Sequence, residues 1–237
     1  MKIGIMGAMV GEIMPIVDAI KYSTNWDLKT INYAGNMYFE ADKTANLAQN
    51  LPTTDSGSPS IFTELLKNIP QNTELVLAYS KVGKVYSTLT ATIMIEKFKI
   101  QKLIFTGVAG GLSKYVKIGD LVLAKNTIQH DLDITGISTT LKIGQVSIPN
   151  SDGTWEPDPV QTPCDELMLR KAKNIISEDV DFNTKSRYHI GTIATGDIFC
   201  YKVEIKNEIL KKFRFLLKDG DQVLAVEMEG MEVNLSK

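Results

Sequence analysis

The sequence predicts an α/β layer fold, and three observations carry the prediction. Short apolar runs of strand length alternate with segments whose apolar residues recur at helical spacing. Several of these runs end in glycine or acidic residues, at the place where open α/β sheets form ligand sites. The composition, 43% hydrophobic and 23% charged over 237 residues, is ordinary globular usage, so disordered, collagenous and coiled-coil classes drop out.

Residues 2–7 (KIGIMG) read as a strand ending in Gly, followed by a helix with Ile13, Ile16, Val17 and Ile20 on one face and Pro15 near its start. Residues 28–34 and 37–41, split by Gly35-Asn36, read as a hairpin, because Gly and Asn accept the positive φ of tight turns. From about 43 to 73 the chain turns polar, with Pro52, Pro59 and Pro70 around one helical stretch near 61–68, and reads as a surface insertion. Strand 74–80 leads to a helix over 84–98 with apolar Val85, Leu89, Ile93, Ile95 and Phe98. A buried strand in KLIFTGVAGG (102–111) follows. A strand over 119–128, a Pro-rich polar segment, a helix near 165–177, a strand at 188–194, a helix near 203–216 and a strand over 222–229 complete the chain.

Charge and cysteines narrow the partners. Lys+Arg of 26 against Asp+Glu of 28 leaves a net charge of -2 without blocks of one sign, which excludes a nucleic-acid groove and a polybasic membrane patch. Small molecules or protein are the expected partners. Cys164 and Cys200 make neither a disulfide framework nor a zinc site and read as packed thiols in a reducing cytosol. No run approaches the ~18–20 uncharged apolar residues of a membrane helix, so a cytoplasmic, soluble chain is expected.

Chemistry concentrates at three strand ends: Gly7-Ala8-Met9 leading to Glu12, Thr106-Gly107-Val108-Ala109-Gly110-Gly111, and Val226-Glu227-Met228-Glu229. Glycine there serves either a tight turn or a close approach of backbone to ligand. Glu227 and Glu229 alternate with Val226 and Met228, so strand geometry would put both on one face, where a buried carboxylate needs a hydroxyl, a cation or water. The plain alternative is a solvated strand end. Glu12 sits where a helix dipole favours negative charge. His130 and His189 read as structural, since no second ligand lies at metal spacing. No G-x-G-x-x-G follows the first strand, and KVGK at 81–84 lacks Walker spacing.

MKIGIMGAMVGEI at the start, TGVAGGL at 106–112, KIGDLV at 117–122, QHDLD at 129–133, ATGDIF at 194–199 and AVEMEG at 225–230 resemble, in order, the motifs of the 5′-methylthioadenosine/S-adenosylhomocysteine nucleosidases of the nucleoside phosphorylase superfamily. The resemblance covers about 1–42 and 74–230; residues 43–73 do not match and 140–190 match loosely. It implies one three-layer α/β domain over 1–237, with a central mixed β-sheet flanked by helices and an atypical insertion at about 43–73. It also implies a homodimer and a reaction without cofactor or metal. The reaction implied is hydrolysis of the N-glycosidic bond between adenine and a 5-thio-substituted ribose. Glu12 would activate the water and Glu229 would bind the ribose hydroxyls, its charge also favouring a cationic sugar. Glu227 would belong to the same substrate site. Met9 and Met228 would pack on the ribose, Val82 and Val108 would border the sugar, Ala109 and Gly110 would line the base pocket, Phe199 would stack on adenine, and the main chain of Cys200 would bond its edge.

Val108 stands where some members carry Ser, and Ile137 lies where the family often sends an aromatic residue to the neighbouring subunit. After Glu229 the family continues to a Ser-Asp pair whose Asp protonates adenine; the sequence stops eight residues on, at Lys237, so the resemblance implies impaired turnover. Two alternatives stand beside hydrolysis. One is a catalytically inactive adenine-binding protein, and the other a purine nucleoside phosphorylase, against which the absence of Arg at Val10-Gly11-Glu12 speaks.

Overall fold

The computed structural model describes residues 1–23, 26–42, 70, 72–138, 140–149, 151–178, 187–215 and 222–235. Most of the expected insertion, including its helical stretch near 61–68, lies outside the described residues. The described chain is α/β with mixed sheets and flanking helices, and it divides into two compact units, up to Val108 and from Ala109 to Leu235.

In the first unit, β1 (Lys2–Gly7) leads to α1 (Val10–Ser23), the hairpin β2 (Asp27–Tyr33) and β3 (Asn36–Asp42), β4 (Glu74–Tyr79), α2 (Lys84–Glu96) and β5 (Lys102–Phe105). The sheet order is β2-β3-β4-β1-β5, parallel through β4-β1-β5 and antiparallel elsewhere. Ile13, Val17 and Ile20 recur at i, i+4 and i+7, and α1 uses that stripe to cover Trp26, Phe39, Leu75 and Leu77. Burying a side chain of this kind contributes about 1.5–3 kcal/mol each.

Three sequence expectations change here. The hairpin turn is Ala34-Gly35, both with positive φ (49° and 75°), while Asn36 opens β3 and its Nδ2 donates to the Tyr79 carbonyl at 2.9 Å. A two-residue turn with both φ positive matches the twist of the flanking strands. Helix α2 buries Ser87, Thr90, Ala91 and Met94 and leaves Val85, Tyr86 and Leu89 exposed, so the expected apolar stripe fails at Val85 and Leu89, while Ile93 and Ile95 are half-buried and Phe98, just past the helix, is buried. The run 102–111 is not one buried strand. β5 ends at Phe105 as a half-exposed edge, and residues 106–111 are exposed.

The second unit contains β6 (Gly110–Gly111), β7 (Leu121–Gln129), β8 (Ser147–Pro149), β9 (Trp155–Pro157), β10 (Thr162–Pro163), α3 (Glu166–Glu178), β11 (Tyr188–Thr195), α4 (Val203–Lys212), β12 (Val223–Glu227) and α5 (Gly230–Leu235). Its five-stranded sheet runs β10-β7-β11-β12-β6, with β7, β11 and β12 parallel, and β8-β9 is a separate ribbon within the Pro-rich segment. Leu112, Ile128, Ala194, Ile209, Phe213, Val223 and Val226 form its core. Asp165 caps α3 by accepting the Met168 N–H at 2.8 Å. Helix α4 carries Glu204 in its first turn and Lys211 and Lys212 in its last, as the helix dipole favours. Gly110 and Gly111 are strand residues opposite Val226 and Ala225, not a tight turn. Among the described residues no helix is long and apolar enough to cross a membrane.

Candidate active site

Glu12 is the centre of the first unit's strand-end cluster. β1 stops at Gly7, two residues turn, and α1 begins at Val10, so Glu12 lies in the first helical turn. There its carboxylate bends back onto free N–H groups, in the manner of a capping box. Oε2 accepts the Ala8 and Met9 N–H at 2.8 and 2.9 Å, and Oε1 accepts the Val108 N–H at 2.9 Å. Gly107 makes that approach possible, since a Cβ there would stand 2.7 Å from Oε1; at Gly7 it would meet the Thr106 carbonyl at 2.8 Å. The Ser80 and Lys81 N–H groups bond the carbonyls of Gly7 and Ala8 at 2.8 and 2.9 Å, fixing the loop that carries Val82 beside the loop that carries Met9. Met9, Val82 and Val108 expose their side chains. Val108 therefore reaches Glu12 through its main chain, and every residue except proline would supply that N–H.

In the second unit the sequence reading needs a correction at Glu227 and Glu229. β12 ends at Glu227, so strand alternation no longer governs Glu229, and the two carboxylates do different work. Glu227 Oε2 accepts the Glu229 and Gly230 N–H at 2.8 and 2.7 Å, holding the turn into α5, and its Oε1 accepts the Thr195 hydroxyl. Thr195 is fully buried and its Oγ1 accepts the Met231 N–H at 2.9 Å. Burial pushes the Glu227 carboxyl above the ordinary glutamate value, and the Thr195 hydroxyl and the N–H groups of Glu229, Gly230 and Met228 pull it part of the way back. Glu229 itself is 5% exposed, and Met228 is half-buried.

Phe199 and Tyr201 expose stacked rings, with centroids 6.4 Å apart and planes 13° from parallel. Cys200 lies between them, half-buried against the core of this unit, and burial raises its thiol while Lys206 pulls it down. Ala109 and Gly110 are exposed, and Gly110 pairs with Val226.

The histidines read as structural take structural positions. His189 Nε2 lies 2.8 Å from Asp120 Oδ2 at the starts of β11 and β7, away from the strand ends that carry the cluster. The Lys117 N–H, then His189, hold Asp120 below the ordinary carboxylate value. His130 is buried. Sequence reasoning passed over Thr195, whose only signal was its place in ATGDIF, and named Gly107 as part of the 106–111 strand end without its contact with Glu12. Among the described residues no group of His, Cys, Asp and Glu is arranged to hold a metal ion.

The fold is that of the phosphorylase and nucleosidase enzymes, and the relatives are nucleosidases. The chain belongs to the phosphorylase superfamily, whose description matches residues 2–234. It is 36% identical to the aminodeoxyfutalosine nucleosidase of Campylobacter jejuni, over 99% of this chain and 78% of that protein. Its fold is similar to the native futalosine hydrolase of Helicobacter pylori, with TM-score 0.71 and 31% identity over 99% of this chain and 77% of that one. It is also similar to a 5′-methylthioadenosine/S-adenosylhomocysteine nucleosidase of Colwellia psychrerythraea in complex with adenine, with TM-score 0.70 and 25% identity over 100% of this chain and 76% of that one.

Proposed function

We propose that the chain hydrolyses the N-glycosidic bond of 5′-substituted adenine nucleosides, with 5′-methylthioadenosine and S-adenosylhomocysteine as substrates. The observation that carries the reading is the Glu12 carboxylate, aimed by three backbone N–H groups at a strand end. In this reading Glu12 takes a proton from water as its oxygen attacks C1′. The C1′–N9 electron pair leaves with the purine, which takes up a proton. Glu229 accepts the ribose hydroxyls, and its charge favours the cationic sugar of the transition state. Glu227 acts on the substrate through the Met228-Glu229 turn. Met9 and Met228 pack on the ribose, where a flexible, polarizable side chain suits a curved surface. Val82 and Val108 border the sugar, Ala109 and Gly110 line the base, Phe199 stacks on adenine and the Cys200 main chain bonds its edge. The adenine held by the Colwellia psychrerythraea relative supports the choice of base. Aminodeoxyfutalosine, named for the Campylobacter jejuni relative, is the third substrate to test. The protein acts as a homodimer in which a second copy covers the exposed Val85, Tyr86 and Leu89 of α2.

The test is adenine release from each nucleoside, with phosphate first omitted and then added. Release without phosphate, lowered ~10²–10⁴-fold by Glu12→Gln, is expected. Adenine bound without release would favour the inactive binding protein, phosphate-dependent turnover would favour a phosphorylase, and no binding of adenine or its nucleosides would end the reading. Sedimentation of the wild type against Val85→Lys tests the dimer, the variant being expected to sediment as the smaller species.

A further inference from the structure

The QHDLD segment is a sequence motif the proposed chemistry leaves unused, and it lies against the loop that carries Phe199 and Cys200. β7 ends at Gln129, paired with Thr195, and the His130 N–H continues that ladder by donating to the Thr195 carbonyl at 2.9 Å. The His130 ring is 1% exposed and packs onto Gly196 so closely that a Cβ at 196 would fall on ring atoms Nε2, Cε1 and Cδ2. The next residue, Asp131, accepts the Asp197 N–H on Oδ2 at 2.7 Å. Gly196 also donates to the Glu227 carbonyl at 3.2 Å, and Lys212 Nζ of α4 donates to the His130 carbonyl at 3.1 Å.

These anchors end at Asp197, with Ile198 alone between them and Phe199. The Phe199 ring is 70% exposed, so packing contributes little to its placement, and its position is inherited from the backbone that carries it. We propose that His130 and Asp131 form a clamp that sets the purine-recognition loop 196–200, making them positioning residues for adenine binding. The proposal rests on the reading above for what the loop binds. The clamp explains why glycine stands at 196. With His130 in place, a Cβ there would displace either the ring or the loop, and a loop displaced by a fraction of an ångström misaligns a stacking platform.

Adenine titrated calorimetrically into the 237-residue chain tests this, with nucleoside KM and kcat measured alongside. Asp131→Ala should weaken adenine about tenfold, the usual cost of losing a charge-assisted hydrogen bond. Asp131→Asn, whose amide oxygen still accepts from Asp197, should recover to within about threefold. In both, KM should rise more than kcat falls. Gly196→Ala should weaken adenine at least about tenfold, and His130→Ala added to it should recover part of the loss, since the Cβ then occupies the space left by the ring. Phe199→Ala serves as the control for the reading itself. If Phe199→Ala loses adenine while Asp131→Ala and Gly196→Ala bind it like the wild type, the clamp is overturned and the reading stands. If Phe199→Ala also binds like the wild type, or the wild type binds no adenine, the loop is not the purine site and both fall.

Discussion

Glu12 and Glu227 each accept three hydrogen bonds at the end of a parallel strand, yet the two carboxylates are built for different ends. Glu12 takes all three from backbone N–H groups, and two of those donors, Met9 and Val108, belong to exposed residues. Glu227 takes two N–H groups from the turn into α5 and a hydroxyl from fully buried Thr195, and its carboxyl is raised by burial. One carboxylate sits half-buried in a cradle of backbone N–H groups; the other, also half-buried, is a strut tied to its turn and to Thr195, and the burial that raises its carboxyl makes its ionisation oppose folding. The number of donors does not separate them. What separates them is what surrounds the donors, which decides whether a charge can be spent on a ligand.

The comparison breaks most readily at Glu12. Glu12→Gln should lower turnover ~10²–10⁴-fold while leaving adenine binding near the wild-type value, read by calorimetry beside the assay. A comparable loss of turnover from a folded Glu227→Gln chain would erase the distinction. Gly107→Ala comes next: its Cβ would press on Glu12 Oε1, and displacing the base should cost ~10²-fold in kcat with little change in the thermal midpoint.

Glu227→Gln sharpens the other side through stability. A carboxyl raised in the folded state contributes stability that is full below its unfolded value and lost as pH rises through the raised one. The wild-type thermal midpoint should therefore carry a downward component as pH rises from the ordinary glutamate value of 4.5, and Glu227→Gln, neutral throughout, should remove it. Equal slopes in the two proteins would show that Glu227 is not the strained group. The smallest effect is at Val108. Val108→Ser keeps the N–H that holds Glu12 and should change kcat less than about twofold, whereas Val108→Pro removes the donor and should cost about tenfold.

Much of this was readable before any coordinates. The alternation of apolar runs marked β1, α1, the β2–β3 hairpin, β4, β7, β11 and β12 to within a few residues, and the placement of Glu12 in the first turn of α1 followed from the Gly7 stop. Helix α2 was misread because hydrophobicity favoured Val85 and Leu89, while the fold buries Ser87 and Thr90. Those hydroxyls are affordable inside because Ser87 Oγ donates to the Lys84 carbonyl at 2.9 Å and Thr90 Oγ1 accepts from Asn36 at 3.3 Å. Strand alternation was carried too far, to Glu229, because a period of two says nothing about where a strand stops. The turn stops it, by donating N–H groups into the Glu227 carboxylate.

The sequence by itself determined the order of elements, the residue types at each strand end and the family to which they point. Periodicity, turn chemistry and motif order are properties of neighbouring residues, and they survive without contacts. Only the tertiary structure decided that the described strands divide into two five-stranded sheets and a two-stranded ribbon and that Gly107 yields its Cβ space to Glu12. It alone decided, too, that His130 fills the space above Gly196 and that Glu227 is tied to buried Thr195 while Met9 and Val108 lie exposed. Each of these depends on pairing residues far apart in the chain, where the choice is made by burial and steric fit rather than by local preference.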